Sequence, residues 1–265
     1  MGKSLKEIFA DLRTRKRVGV LPFIPAGYPD LNAMRQLLPA LERAGASAIE
    51  VGIPFSDPIA DGPVIQEAYT AALARGLKLK EVLKTVRESR SSVSIPLVSM
   101  VSYSIVFRYG PERYFADAKE AGFDGLILPD LPPPEAEGIC EKVRKAGLDT
   151  ILLVAPTTSR ERRKEIARLC SGFIYYLSVS GITGERQKLP EDLAEQLRQL
   201  KQMSETPVCV GFGISRREHV GQLAGLADGA LVGSAIVRRM KEHAGEGTGK
   251  MATVVESYVR ELVGT

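Results

Sequence analysis

Three carboxylates fall within twelve residues of one another in IEVGIPFSDPIADGPVIQ (49–66): Glu50, Asp57 and Asp61. Glu50 sits in an apolar, β-branched run, and the two aspartates follow in a segment punctuated by Pro54, Pro58 and Pro63. That segment is too proline-rich for the interior of a helix or sheet. A carboxyl forced into apolar surroundings keeps its proton to higher pH. A pair in unequal surroundings can do general acid–base work, one group moving a proton while the other holds charge. Asp61, between Ala60 and Gly62, lies where a rigid turn would aim it back over the same space. Asp-Gly is equally a turn-forming pair, and these residues alone leave both readings open. Asp57, in Ser-Asp-Pro, reads as a turn residue.

The elements that must position these groups recur along the whole chain. Eight short runs read as strands: VGVLPFI (18–24), SAIEVGI (47–53), IPLVSMV (95–101), DGLILPD (124–130), DTILLVA (149–155), GFIYYLS (172–178), PVCVGFG (207–213) and DGALVGS (228–234). Amphipathic stretches such as LNAMRQLLPALERAG and LPEDLAEQLRQLKQM separate them, which means βαβ units and a parallel sheet. Eight units in 265 residues fit a single-domain (β/α)8 TIM barrel over 1–265, with residues 3–16 as an extra N-terminal helix plugging the floor. A doubly wound sheet would carry a GxGxxG turn after its first strand, and none is present. ERAG (42–45), AKEAG (118–122) and RKAG (144–147) each end a helix in glycine. Asp124, Asp149 and Asp228 open strands on the floor, as turn and capping residues.

In a barrel of this kind chemistry sits at the C-terminal strand ends. Alternation along strand two puts Ile49, Val51 and Ile53 toward the helix layer, which leaves Glu50 pointing into the barrel. Strand seven ends in GFGIS (211–215), with Ser215 and Glu218 spaced as a capping box for the next helix. Strand eight ends in VGSAI (232–236). Two glycine-bearing strand ends leading into helix N-termini offer backbone N–H groups to an anion, which points Gly213, Gly233 and Ser234 at a phosphate. LSVSGITGERQKLP (177–190) has the length and small residues of a lid, and of an ordinary loop as well.

Absences narrow the chemistry. No strand ends in Lys, which removes a Schiff-base nucleophile, and no His/Cys/carboxylate cluster has metal-ligand spacing. What remains is a phosphate-anchored substrate worked on by carboxylates. His219 and His243 read as surface or structural, and RERRKE (160–165) as a solvated helix face rather than a nucleic-acid patch, although the net charge is +4. Cys140, Cys170 and Cys209 form no CxxC and suggest no disulfide framework. No apolar stretch reaches the roughly 18 residues of a membrane span. The N-terminal segment lacks an apolar signal region, so a cytoplasmic setting is expected.

Together PFSDPIADGPVIQ, SVSGITGER, GFGIS and ADGALVGSAI closely resemble the α subunit of tryptophan synthase, over essentially the whole chain. The resemblance implies a lyase cleaving indole-3-glycerol phosphate to indole and glyceraldehyde 3-phosphate by a retro-aldol route without a cofactor. It implies Glu50 as general acid–base and Asp61 as the group binding the indole N–H. It implies Phe23, Ile65, Met100, Ile127, Tyr175 and Phe212 around the substrate, and Gly184, Gly213, Gly233 and Ser234 at its phosphate. Thr183 would hydrogen-bond Asp61 when the loops close. A pyridoxal-phosphate β subunit is the implied partner, in an αββα assembly. The family's third-strand loop often reads Met-x-Tyr-x-Asn-Pro; here Ser102, Ser104 and Ile105 stand at its Tyr, Asn and Pro. That departure touches docking to the β subunit and keeps open a freestanding lyase that releases indole. A non-catalytic phosphate-binding partner subunit is a third reading, against which the intact Glu50 and Asp61 argue.

Overall fold

In a computed structural model, residues 2–57, 61–177, 192–211 and 213–264 are described. The chain opens with α1 (Leu5–Thr14), then β1 (Gly19–Pro25), α2 (Leu31–Arg43), β2 (Ile49–Gly52), α3 (Pro63–Ala74) and α4 (Leu79–Ser89). β3 (Leu97–Met100), α5 (Tyr103–Tyr109), α6 (Pro111–Ala121), β4 (Gly125–Ile127) and α7 (Ala136–Lys145) follow. Next come β5 (Asp149–Val154), α8 (Arg160–Leu169), β6 (Ile174–Leu177), α9 (Leu193–Met203) and β7 (Val208–Gly211). α10 (Arg217–Gln222), β8 (Gly229–Val232), α11 (Ser234–His243) and α12 (Thr248–Val263) complete the order. The strands pair in parallel from β1 to β8, and β8 closes on β1. All eight expected strands are present, and the closed (β/α)8 barrel is the expected fold.

Closure follows from the alternation. On β2, Ile49, Val51 and Ile53 join the outer core between strands and helices, while Ala48 faces inward. The inward set, Leu21, Val98, Ile127, Ile151, Phe173, Cys209 and Leu231, fills the barrel. At the floor, Leu5 and Phe9 of α1 complete that cluster, and the Phe9 ring meets Phe173 edge-on with centroids 5.9 Å apart. The helix starts on a capping box in which Ser4 and Glu7 satisfy each other's backbone N–H groups. Its last turn is pinned where Arg13 Nε donates to Asp228 at 2.8 Å. Burial pushes the Asp228 carboxyl up, but Arg13, the Val208 N–H and Lys201 outweigh it and hold it below the usual range. Asp228 and Asp124, which accepts from Arg90 and the Leu97 N–H, are structural, as their positions before strands suggested. Gly122 ends α6 in the left-handed conformation (φ 103°), the reason a glycine is needed there.

Two local expectations are corrected. Ser215 and Glu218 form no capping box: α10 begins at Arg217, and the Ser215 N–H donates instead to His219 Nδ1. RERRKE is not wholly a solvated face, because Arg163 is buried, donating to the Thr158 and Pro156 carbonyls and to Gln196. Between α11 and α12 lies a short 3-10 turn, Ala244–Glu246, with His243 Nδ1 at 2.8 Å from Glu246.

Candidate active site

At the C-terminal end of the barrel a cavity of about 200 Å³ opens between the strand ends. Its wall is formed by Phe23 of β1, Glu50 of β2, Met100 of β3, Leu153 of β5, Tyr175 of β6 and Gly211 of β7, with Leu231, Gly233 and Ser234 from the β8 end. The loop after β2 contributes Phe55, Asp57 and Asp61, and α3 contributes Ile65 and Tyr69. Asp57 is exposed on the rim, where Ser56 donates to it.

Glu50 is 3 % exposed, and its Oε2 has no hydrogen-bond partner among the described residues. Burial, reinforced by the negative charge of Asp61, pushes its pKa up to about 8. Asp61, half-buried in the loop, is raised by burial to about 6. Gln66 donates to the Asp61 carbonyl at 2.7 Å, which ties the turn to the start of α3. The two carboxyls are therefore set apart: at neutral pH one holds a proton and the other a charge.

The opposite wall offers donors of the kind that suit an anion. Gly233 is the N-cap of the ten-residue α11, and Ser234 opens that helix. No side chain caps this end, so its first N–H groups and the positive end of the helix dipole face the cavity. Gly213 lines the same wall, but α10 starts four residues later. One helix N-terminus, not two, is available to an anion here, because residues 213–216 form bends and irregular chain before Arg217.

Of the residues named from sequence, the cavity brings together Glu50, Asp61, Phe23, Ile65, Met100, Tyr175, Gly213, Gly233 and Ser234. Ile127 does not line it: fully buried, it packs into the barrel interior among Val98 and Ile151. Thr183, Gly184 and Phe212 lie outside the described residues. Sequence reasoning missed Tyr69 and Leu153. For Tyr69 the signal was its spacing of four from Ile65, which puts both on one face of α3.

Gly52 explains the slot that Tyr69 occupies. A Cβ there would overlap the Tyr69 hydroxyl and the Phe23 ring. Gly52→Ala is expected to cost about 1–3 kcal/mol by overpacking, measured by urea unfolding; a variant as stable as its parent would show that the slot has room.

The third-strand loop is rebuilt around Asp130. The Ser102 hydroxyl and the Tyr103 N–H each donate to that carboxylate at 2.6 Å, and Ser102 accepts from the Ser104 N–H, which caps α5. Ile105 packs against the outer core, and Phe107, on the same helix, is 69 % exposed. Among the described residues, no group of three His, Cys, Asp or Glu side chains could hold a metal ion, and no helix is long and apolar enough to cross a membrane.

Known proteins share this sequence and fold. The family model for the tryptophan synthase alpha chain matches residues 9–263. The tryptophan synthase alpha chain of Rhodopirellula baltica is 46 % identical over 241 residues, covering 90 % of this chain and 87 % of that one. That of Geotalea daltonii is 43 % identical over 258 residues, covering 97 % of each. Among solved structures, the tryptophan synthase A-subunit of Pyrococcus furiosus superposes with a TM-score of 0.86 at 39 % identity, over 93 % of this chain and 98 % of that one. The eight-stranded barrel, the carboxyl pair at its mouth and these matches lead to one assignment: the chain belongs to the tryptophan synthase alpha chain family.

Proposed function

We propose that this chain cleaves indole-3-glycerol phosphate to indole and glyceraldehyde 3-phosphate as a carbon–carbon lyase, with Glu50 as general acid–base. The reaction is that of the family and serves tryptophan biosynthesis. The observation that carries the residue roles is the pairing of protonated Glu50 with ionised Asp61 in one apolar cavity.

In this reading Glu50 gives its proton to the ring carbon that bears the glycerol chain. Positive charge then develops on the ring nitrogen, where Asp61 accepts the N–H hydrogen bond and offsets that charge. The Glu50 carboxylate takes the proton of the adjacent hydroxyl as the carbon–carbon bond breaks. That bond's electrons return to the ring, and the hydroxyl carbon leaves as an aldehyde. The phosphate lies against Gly233, Ser234 and Gly213, and the apolar walls exclude water from the ring.

A member of this family carries no cofactor of its own; pyridoxal phosphate belongs to the beta subunit, its partner. The αββα stoichiometry, a cytoplasmic location and a single domain over 1–265 are part of the proposal. Exposed Phe107, beside the rebuilt third-strand loop, supports a partner on that face.

The test is indole release from indole-3-glycerol phosphate with and without a beta subunit. A family subunit of the usual kind is slow alone and accelerated by its partner; a fast unaided enzyme would favour the freestanding lyase, and no indole in either case would refute the reading. The dependence of kcat/KM on pH is expected to be bell-shaped. Activity should rise as Asp61 ionises near pH 6 and fall as Glu50 loses its proton near pH 8, the two limbs belonging to the coupled pair. A profile flat from pH 5 to 9 would contradict these roles.

A further inference from the structure

Two buried polar atoms facing this cavity have no partner among the described residues: Glu50 Oε2 and the hydroxyl of Tyr69. Tyr69 is 2 % exposed, and its ring is held edge-on against Phe23, with centroids 6.4 Å apart at 63°. Its hydroxyl lies over Gly52, which is two residues beyond Glu50 on the same inward face of β2. A group seated over Glu50 therefore meets Tyr69 as well.

Leaving a buried hydroxyl unpaired costs about 1–3 kcal/mol, so a substrate atom that pairs with both groups gains from binding here. That atom must accept from the phenol and, once Glu50 has given its proton to the ring, donate to the resulting carboxylate. An indole N–H cannot accept, and a dianionic phosphate cannot donate. A hydroxyl does both.

We propose that the Tyr69 phenol donates a hydrogen bond to the substrate's carbinol oxygen, the one whose proton passes to Glu50. The inference rests on the lyase reading of the cavity and adds to it a second catalytic contact at the oxygen. As the carbon–carbon bond breaks, the O–H electron pair becomes part of the aldehyde C=O, and the proton goes to the Glu50 carboxylate. The bond's own pair returns to the ring and cancels the charge on nitrogen. Nothing is oxidised or reduced, and Tyr69 keeps its proton throughout, stabilising the negative charge that builds on the oxygen before the aldehyde forms. Burial, with Asp61 and Glu50 nearby, raises the phenol well above its ordinary pKa, so it remains a donor across the working range.

The experiment is Tyr69→Phe, which keeps the ring against Phe23 and removes only the hydroxyl. Three quantities are compared with the parent: kcat and KM for indole release, affinity for an indole-3-alkyl phosphate carrying no hydroxyl, and the midpoint of thermal unfolding. The expected result is a kcat lower by about a hundredfold, with KM changed by less than about threefold and affinity for the hydroxyl-free analogue unchanged. An unaltered kcat would overturn the inference while leaving the lyase reading intact, since the parent still cleaves. Parallel losses of kcat and analogue affinity would assign Tyr69 to packing and overturn it too. A parent that released no indole would refute the lyase reading, and the inference with it.

Discussion

Glu50→Gln is expected to lower kcat for indole formation by about 10³-fold or more while leaving KM close to its native value. General acid–base groups contribute roughly 10²–10⁴-fold, and here one carboxyl serves two proton transfers in sequence. The amide keeps the size of the side chain, and the proposed phosphate and ring contacts do not involve it, so binding should persist. Stability should move the other way. A buried carboxyl whose folded pKa is raised favours the fold below its unfolded pKa and loses that contribution as pH rises. For Glu50 the loss runs from about 4.5 to about 8 and reaches about 3 kcal/mol at neutral pH. The amide has unpaired groups of its own that offset about 1–2 kcal/mol of the relief. Urea unfolding should therefore find the variant about 1–2 kcal/mol more stable near pH 7, with the difference shrinking toward pH 5. A variant with near-native turnover, or one destabilised at every pH, would remove Glu50 from its role.

Phe9→Ala, at the other end of the barrel, is expected to cost about 3–5 kcal/mol of stability without touching the chemistry. Phe9 is 1 % exposed and closes the interior cluster from below, against Phe173. Removing a buried aromatic loses its transfer free energy and leaves a cavity that the surrounding strands cannot collapse into, at about 3–5 kcal/mol. The lost edge-to-face contact accounts for about 0.5–1.5 kcal/mol. The second anchor of α1, Arg13 on Asp228, would hold the helix near the floor but cannot fill the space. Lys6→Ala, on the exposed face of the same helix, is the control and should stay within about 0.5 kcal/mol. Urea unfolding reads both. A Phe9→Ala cost no larger than that of Lys6→Ala would mean that α1 covers the barrel without plugging it.

The barrel was legible because its strands are short β-branched runs and its helices end in glycines such as Gly122, signals that come from local backbone chemistry. Glu50 was legible from alternation alone: with Ile49, Val51 and Ile53 facing the helices, the acid between them had one direction left. Features set by how side chains pack, rather than by backbone pattern, were not. Ser215 and Glu218 have capping-box spacing, yet His219 takes the Ser215 N–H and the helix begins later. Arg163 looks like its solvated neighbours until Thr158, Pro156 and Gln196 are brought around it by the packing of the chain. Ile127 was named for the cavity by resemblance, and the barrel interior takes it instead. Tyr69 went unnoticed because its place depends on Gly52, an absence of side chain on another element.

The most direct measurement is a titration of the Glu50 carboxyl itself by carbon-13 NMR, with Glu50→Gln supplying the assignment. The account predicts a carboxyl that remains protonated at neutral pH and ionises near pH 8. A Glu50 already ionised at pH 6 would leave the cavity without its acid and would contradict the account.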